Sequence, residues 1–204
     1  VGFEITSWSD LWRPELKDKL AIPDLATTFG PAMVHLANDY KGGDLASDKG
    51  EAAFKGLEEL KPNIKKAYSK SSELANDFKS GEVAVAVVGD FAVNVIKGAN
   101  ENVTFMVPAD YTYANFNTID INVNSKNKDL AYEYINWRIS QELQSTTAKT
   151  LNEGPVNKLV ELTAEESASM TYGDVAKRAR SIDYSVVNPL MAEWTDKWNK
   201  TINN

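Results

Sequence analysis

The stretch Val83-Ala-Val-Ala-Val-Val88 limits most sharply what this chain can fold into. It is a run of small and β-branched apolar residues with no polar alternation. Such a run suits a strand covered on both faces, in the middle of a mostly parallel sheet with helices on each side. Gly89-Asp90 breaks it. Asp90 caps a short helix whose apolar positions continue through Val93 and Ile96, and Gly98 supplies the stop. A buried strand feeding a helix N-terminus places free backbone N–H groups and a carboxylate at the carboxyl edge of the sheet, where open α/β sheets bind ligands. An ordinary βα unit with nothing bound has the same pattern, so the neighbouring stretches decide.

Those neighbours alternate between strand and helix patterns. Ser7 caps a short helix carrying Trp8, Leu11 and Trp12, which ends before Pro14. Leu20-Ala-Ile22 reads as a short buried strand closed by Pro23-Asp24, and a hydroxyl-rich turn follows from Leu25 to Pro31. A helix is expected from about Pro31 to Ala37. A second opens near Ser47 with Ala53, Leu57 and Leu60 at core spacing, and a third runs from Ser71 or Ser72 to Phe78. Ile64 to Tyr68 and Val103 to Val107 read as further extended segments. This alternation is the signature of an α/β layer rather than a bundle.

From Ala109 to Thr118 aromatics and short amides interleave in a loop, a kind of segment that often carries function. Ile119, Ile121 and Val123 alternate with polar residues as a half-exposed strand. Asn127 caps a helix with Leu130, Tyr134 and Trp137, Ser140 restarts a second one, and Thr163 with Glu166 makes a capping box. A last helix carries Val187, Leu190, Met191, Trp194 and Trp198 on one stripe.

Chemistry is limited by what is missing. With no cysteine there are no disulfides and no thiolate metal sites, and the single histidine, His35, sits inside a helix between Val34 and Leu36. Ser-His-Asp and Cys-His nucleophile systems are thereby all but excluded. The pairs Glu58-Glu59 and Glu165-Glu166 lie among lysines and read as solvated faces. No metal or redox cofactor is expected, and nothing indicates an enzyme. The net charge of −7 argues against a nucleic-acid partner. The chain begins at Val1 in mid-pattern, which raises the expectation of an upstream segment, since removed.

The motifs together resemble a known family. Ser7-Trp-Ser-Asp-Leu-Trp12 followed by Leu-Lys-Asp-Lys-Leu-Ala-Ile-Pro-Asp24 is similar to a segment of periplasmic solute-binding proteins, the spermidine/putrescine-binding branch of ABC importer subunits being nearest. Phe78-Lys-Ser-Gly-Glu-Val83, Asn124-Ser-Lys-Asn-Lys-Asp129, Tyr134-Ile-Asn136, Gly154-Pro-Val-Asn157 and Ala192-Glu-Trp-Thr-Asp-Lys-Trp198 follow in the family's order. The resemblance spans essentially the whole chain. It implies an α/β, type II periplasmic-binding-protein-like fold, with one nearly complete lobe (1–113 and 163–204) and a cross-over segment (114–162) of another, incomplete lobe. It further implies a location in the periplasm or at the cell surface, a small-molecule solute, and an ABC permease in the membrane as partner.

What the resemblance implies for the ligand is mixed. Where the polyamine branch carries a carboxylate pair after the first strand, this chain has Leu25 and Thr28; the branch's tryptophan after the Gly-Glu-Val strand is Gly89. A Trp-x-Asp pair becomes Asn115-Phe116-Asn117, and a tyrosine becomes Glu153. Polyamine ammoniums are held by carboxylates and aromatic faces. Here Glu153, Asp90 and Asp183 remain for one ammonium, while Thr27, Thr28, Asn115 and Asn117 suit a carboxylate or other oxyanion. Phe91, Phe116 and Tyr184 complete the expected ligand-binding set. A diamine and a small zwitterion or aminated acid therefore both stand. The alternatives of another class are the effector-sensing domain of a bacterial transcription regulator with the same architecture, and an iron- or anion-binding relative using Tyr111 and Tyr113. Because 114–162 would lack its partner sheet, self-association is also expected, through apolar residues such as Ile119, Ile121, Tyr134 and Trp137.

Overall fold

The computed structural model describes residues 1–204. In chain order the regular elements begin with β1 (Leu20–Pro23), α1 (Gly30–Lys41), α2 (Leu45–Asp48), α3 (Glu51–Leu60), β2 (Ile64–Tyr68) and α4 (Ser72–Ser80). They continue with β3 (Val85–Ala86), α5 (Val93–Ala99), β4 (Thr112–Ala114), α6 (Lys128–Arg138) and α7 (Gln141–Leu151). The last are α8 (Ala164–Ser167), α9 (Gly173–Lys177), β5 (Ala179–Ser181) and α10 (Tyr184–Thr201). Short 3-10 turns precede several of them, the first being Trp8–Trp12, capped by Ser7 with Asp10 closing the box.

The strand at the centre is β1, not the valine-rich run. The sheet order is β2-β1-β3, all parallel. Leu20 and Ile22 face the larger core with Met33, Leu36 and Leu57, while Ala21 faces the smaller one with Tyr68, Leu74, Val83 and Ile96. The alternation of a strand's side chains thus divides Leu20, Ala21 and Ile22 between two helical layers, α1–α3 on one face and α4–α5 on the other. Of the run Val83–Val88, only Val85–Ala86 are strand, at the sheet's edge, and Val85 to Val88 are half-buried. An unbroken apolar run reports apolar surroundings on both faces; it does not report a strand on both edges. The outer side of β3 borders a groove of about 650 Å³, lined by Val1, Phe3, Ile5, Phe105 and Met106 among others. Val103–Val107, expected as a strand, is irregular and forms part of this wall, because β3 does not pair with it.

The C-terminal helix α10 closes the larger core. Val187, Trp194 and Trp198 are buried, and the Trp194 indole N–H donates to the Lys49 carbonyl at 2.8 Å. His35 is a helix residue whose Nδ1 lies 2.9 Å from the Pro31 carbonyl, edge-on to Tyr113 and Trp194. That is a structural histidine.

Strands β4 and β5 pair in parallel, with Tyr113 opposite Arg180. Between them the expected strand Ile119–Val123 is irregular. Ser140 caps α7 and the Thr163–Glu166 box caps α8, as the sequence suggests. Asn127 precedes α6 without a side-chain cap. No residue of α6 is buried, and only Ala148 is in α7.

Candidate functional site

Three chain crossings meet at the carboxyl edge of the sheet. Behind β1 the chain turns through Asp24–Phe29 into α1. Asp24 organises that turn: its carboxylate accepts from the Ala26 N–H at 3.0 Å, and its carbonyl accepts from the Thr27 N–H and hydroxyl at 2.9 and 2.7 Å. Thr27 is thus engaged by its own turn. Thr28 is exposed, and its carbonyl accepts from Asn115 Nδ2 at 3.2 Å. Asn115 follows β4 directly and accepts in turn from the Tyr184 hydroxyl at 3.4 Å, at the start of α10.

Behind β3, Gly89-Asp90-Phe91 leads into α5. A Cβ on Gly89 would lie 2.8 Å from both the Phe29 and Phe91 rings. The missing side chain is what lets those rings stack, with centroids 5.9 Å apart and planes at 20°. Phe91 is 48% exposed and Phe116 70%, so both offer apolar surface to whatever enters. The structure therefore joins Thr28, Asn115 and Tyr184 by hydrogen bonds, and Phe91 to Phe29, the direct neighbour of Thr28.

The carboxylates are more occupied than sequence alone conveys. Asp90 Oδ2 accepts from the Thr171 N–H at 3.0 Å and its hydroxyl at 2.9 Å, while Oδ1 accepts from the Phe91 N–H. Asp183 is the N-cap of α10, taking the Ser185 N–H at 2.9 Å and hydroxyl at 2.6 Å; these bonds hold its carboxyl below the usual range. Glu153 is 3.5 Å from Arg138 and stands next to Asn152, which donates to the Asp90 carbonyl at 2.6 Å. Asn117 is exposed, two residues past Asn115.

Phe29, Asn152, Ser169 and Thr171 were not singled out by sequence reasoning. Phe29 had a usable signal, an aromatic directly after the hydroxyl turn. Asn152 had another: an asparagine just past a helix end, which the structure shows in the left-handed region at φ 55°. The remaining two had none.

The tyrosine pair of the iron reading lies elsewhere. Tyr111 and Tyr113 meet edge to face at 5.8 Å, and the Tyr113 hydroxyl donates to Asp39 at 2.9 Å. Burial, reinforced by Asp39, pushes both phenols up. Arg180 covers the Tyr111 ring at 3.8 Å.

Comparison with known proteins identifies the class. Residues 4–172 match the family described as "Bacterial extracellular solute-binding protein", and the chain belongs to that family. It is 31% identical over 148 residues to the spermidine/putrescine-binding periplasmic protein of Salmonella typhimurium, covering 72% of this chain and 41% of the relative. A putrescine-binding periplasmic protein of Escherichia coli is 31% identical over 150 residues, with 68% and 40% covered. The chain thus spans about two fifths of the length of these curated relatives. Among solved structures, an ABC transporter protein of Clostridium perfringens superposes with TM-score 0.88 at 56% identity, covering 98% of this chain and 64% of that one. A spermidine/putrescine ABC transporter substrate-binding protein of Streptococcus pneumoniae gives 0.74 at 21% identity, and a Bordetella ferric binding protein 0.67 at 18%; these two show the fold alone. The fold is that of type II periplasmic binding proteins.

Proposed function

We propose that this chain is the ligand-capturing part of an ABC importer's solute-binding subunit, which takes up a small polar organic solute outside the cytoplasm and presents it to a membrane permease. It binds rather than catalyses. The solute class is a polyamine or an amino-acid-like amine, in keeping with the names of the curated relatives. Residues 1–113 and 163–204 form one lobe and 114–162 reach into the other, so a solute between them is closed upon by a hinge at β4 and β5. The observation that carries this reading is the junction of Thr28, Asn115 and Tyr184 with the Phe29–Phe91 stack at the carboxyl edge of the sheet. Phe116 and Asn117 flank the junction on the cross-over, and Thr27, Asp90, Glu153 and Asp183 form its rim.

A thermal-shift panel of putrescine, spermidine, amino acids and small carboxylates tests it. A ligand that binds only the folded state at a hundred times its Kd adds about 2.7 kcal/mol of apparent stability. We expect a saturable rise in Tm with an amine of the panel, and a smaller rise at the same concentration in Phe91→Ala. A panel without any saturable shift, or a shift unchanged in Phe91→Ala and Asn115→Ala, would reject the site.

A further inference from the structure

Asp90, Asn152 and the segment 169–171 form a closed set of hydrogen bonds between stretches far apart in sequence. The Asp90 carboxylate receives both donors of Thr171, its backbone N–H and its hydroxyl. The Asp90 carbonyl receives Asn152 Nδ2, which also donates to the Ser169 carbonyl at 2.8 Å. The Ser169 hydroxyl donates back to Asn152 Oδ1 at 3.0 Å. Asn152 is 3% exposed, with its amide nitrogen and its oxygen both engaged. Close packing reinforces the bonds: a Cβ on Gly154 would lie 2.4 Å from the Thr171 carbonyl. The return segment is therefore gripped between Asp90 on one side and residues 152–154 on the other.

The helical stretch 138–172 is tied together by bonds of its own. Arg138 pairs with Glu153, Lys149 with Glu166 at 2.8 Å, and the Tyr172 hydroxyl donates to the Val160 carbonyl at 3.2 Å. This stretch meets the 3-10 turn before α5 at Asp90. Because Phe91 follows directly, whatever moves Asp90 also moves the ring stacked on Phe29.

We propose that Asp90 and Asn152 form a latch that holds the helical stretch against the solute-binding edge, making Asp90 a positioning residue for Phe91. The carboxylate acts on the protein's own Thr171. A shift of the helical stretch is then transmitted to the Phe29–Phe91 stack through the Thr171 pair on the Asp90 carboxylate and the Asn152 bond to its carbonyl.

Amide hydrogen exchange on the 204-residue chain without solute tests the latch independently of the proposed function. In Asp90→Ala, exchange at Thr171 is expected to rise roughly ten- to a hundredfold, since a hydrogen bond to a charged acceptor is lost. Asn152→Gly keeps the left-handed backbone, removes only the side-chain bonds, and is expected to speed Thr171 exchange by a smaller factor. Asp90→Ala and Thr171→Val should combine non-additively, because both remove one contact. Exchange at Ala21 and Ile22 in β1 reports global opening and is expected to stay constant. The latch is overturned by an unchanged Thr171 amide in Asp90→Ala, by additive effects in the double variant, or by equal acceleration of the β1 amides in both Asp90→Ala and Asn152→Gly.

Discussion

Helices α3 and α6 carry nearly the same apolar pattern and meet opposite fates. In α3, Ala53, Leu57 and Leu60 recur at helical spacing and are fully buried. In α6, Leu130, Tyr134 and Trp137 recur just as regularly and are 64%, 51% and 55% exposed. The difference lies in the partner layer. α3 packs on α1 and is crossed by α10, whereas the closest packing of α6 is with α7, which has little apolar surface to offer. An amphipathic helix specifies a face; only a second layer converts that face into a core.

The sharpest way to break this contrast is to truncate both faces. Leu57→Ala is expected to cost about 2–5 kcal/mol and Trp194→Ala about 3–5 kcal/mol, the range for large-to-small changes in cores. Leu130→Ala and Trp137→Ala should stay within about 0.5 kcal/mol, as surface changes do. Urea denaturation of the four variants, at concentrations where the chain is monomeric, measures this, and an α6 variant as costly as Leu57→Ala would show that α6 is packed within one chain.

A second measurement sharpens it. Val123, Leu130, Tyr134 and Trp137 belong to a region with many exposed apolar side chains, of the kind that marks an interaction face. We expect the isolated chain to self-associate through it, giving sedimentation coefficients that rise with concentration. Trp137→Lys should return the chain toward monomer. Ile121, half-buried, contributes less to that face than its place in the pattern implies. A chain that stays monomeric over the full concentration range would remove the 114–162 region from consideration as an interface.

The smallest effect concerns the well-packed side. Burial at the base of the Tyr113–Trp194 pair lowers the His35 pKa below its ordinary 6.5, against the pull of the Pro31 carbonyl and Asp39. The folded state then binds fewer protons than the unfolded one as pH falls through 6.5, so this contribution is present above that pH and lost below it. His35→Gln should flatten the stability profile between neutral pH and pH 5. A steeper loss on acidification in the variant would mean that folded His35 holds its proton.

The parts of the fold legible in sequence were those set by local rules. Ser7, Ser140 and the Thr163–Glu166 box begin helices as their side chains dictate, and Leu20–Ile22 and Ile64–Tyr68 are strands. Strand order was not legible, because Val83–Val88 carries the apolar run while the shorter Leu20–Ile22 takes the centre. Val103–Val107 and Ile119–Val123 have strand-like patterns, but a pattern without a neighbour to pair with yields no ladder. Of the proposed site residues, Thr28 and Asn115 are suggested by the family resemblance, and the structure links these two and Tyr184 by hydrogen bonds. The engagement of Asp90 was not legible, since Thr171 lies 81 residues further on and nothing local announces it.

Gly89 sets the spacing of the two rings at the proposed site. The two rings at the mouth keep their stack because position 89 has no side-chain atoms, so the smallest available change, one methyl, would push them apart without reaching the interior. Gly89 is not in the left-handed region; its φ is −72°, which any residue adopts, so an alanine there would carry no backbone penalty and would act on the rings alone. At the proposed site such a change would alter the aromatic pair and leave the Leu20–Ile22 and Trp194 core untouched.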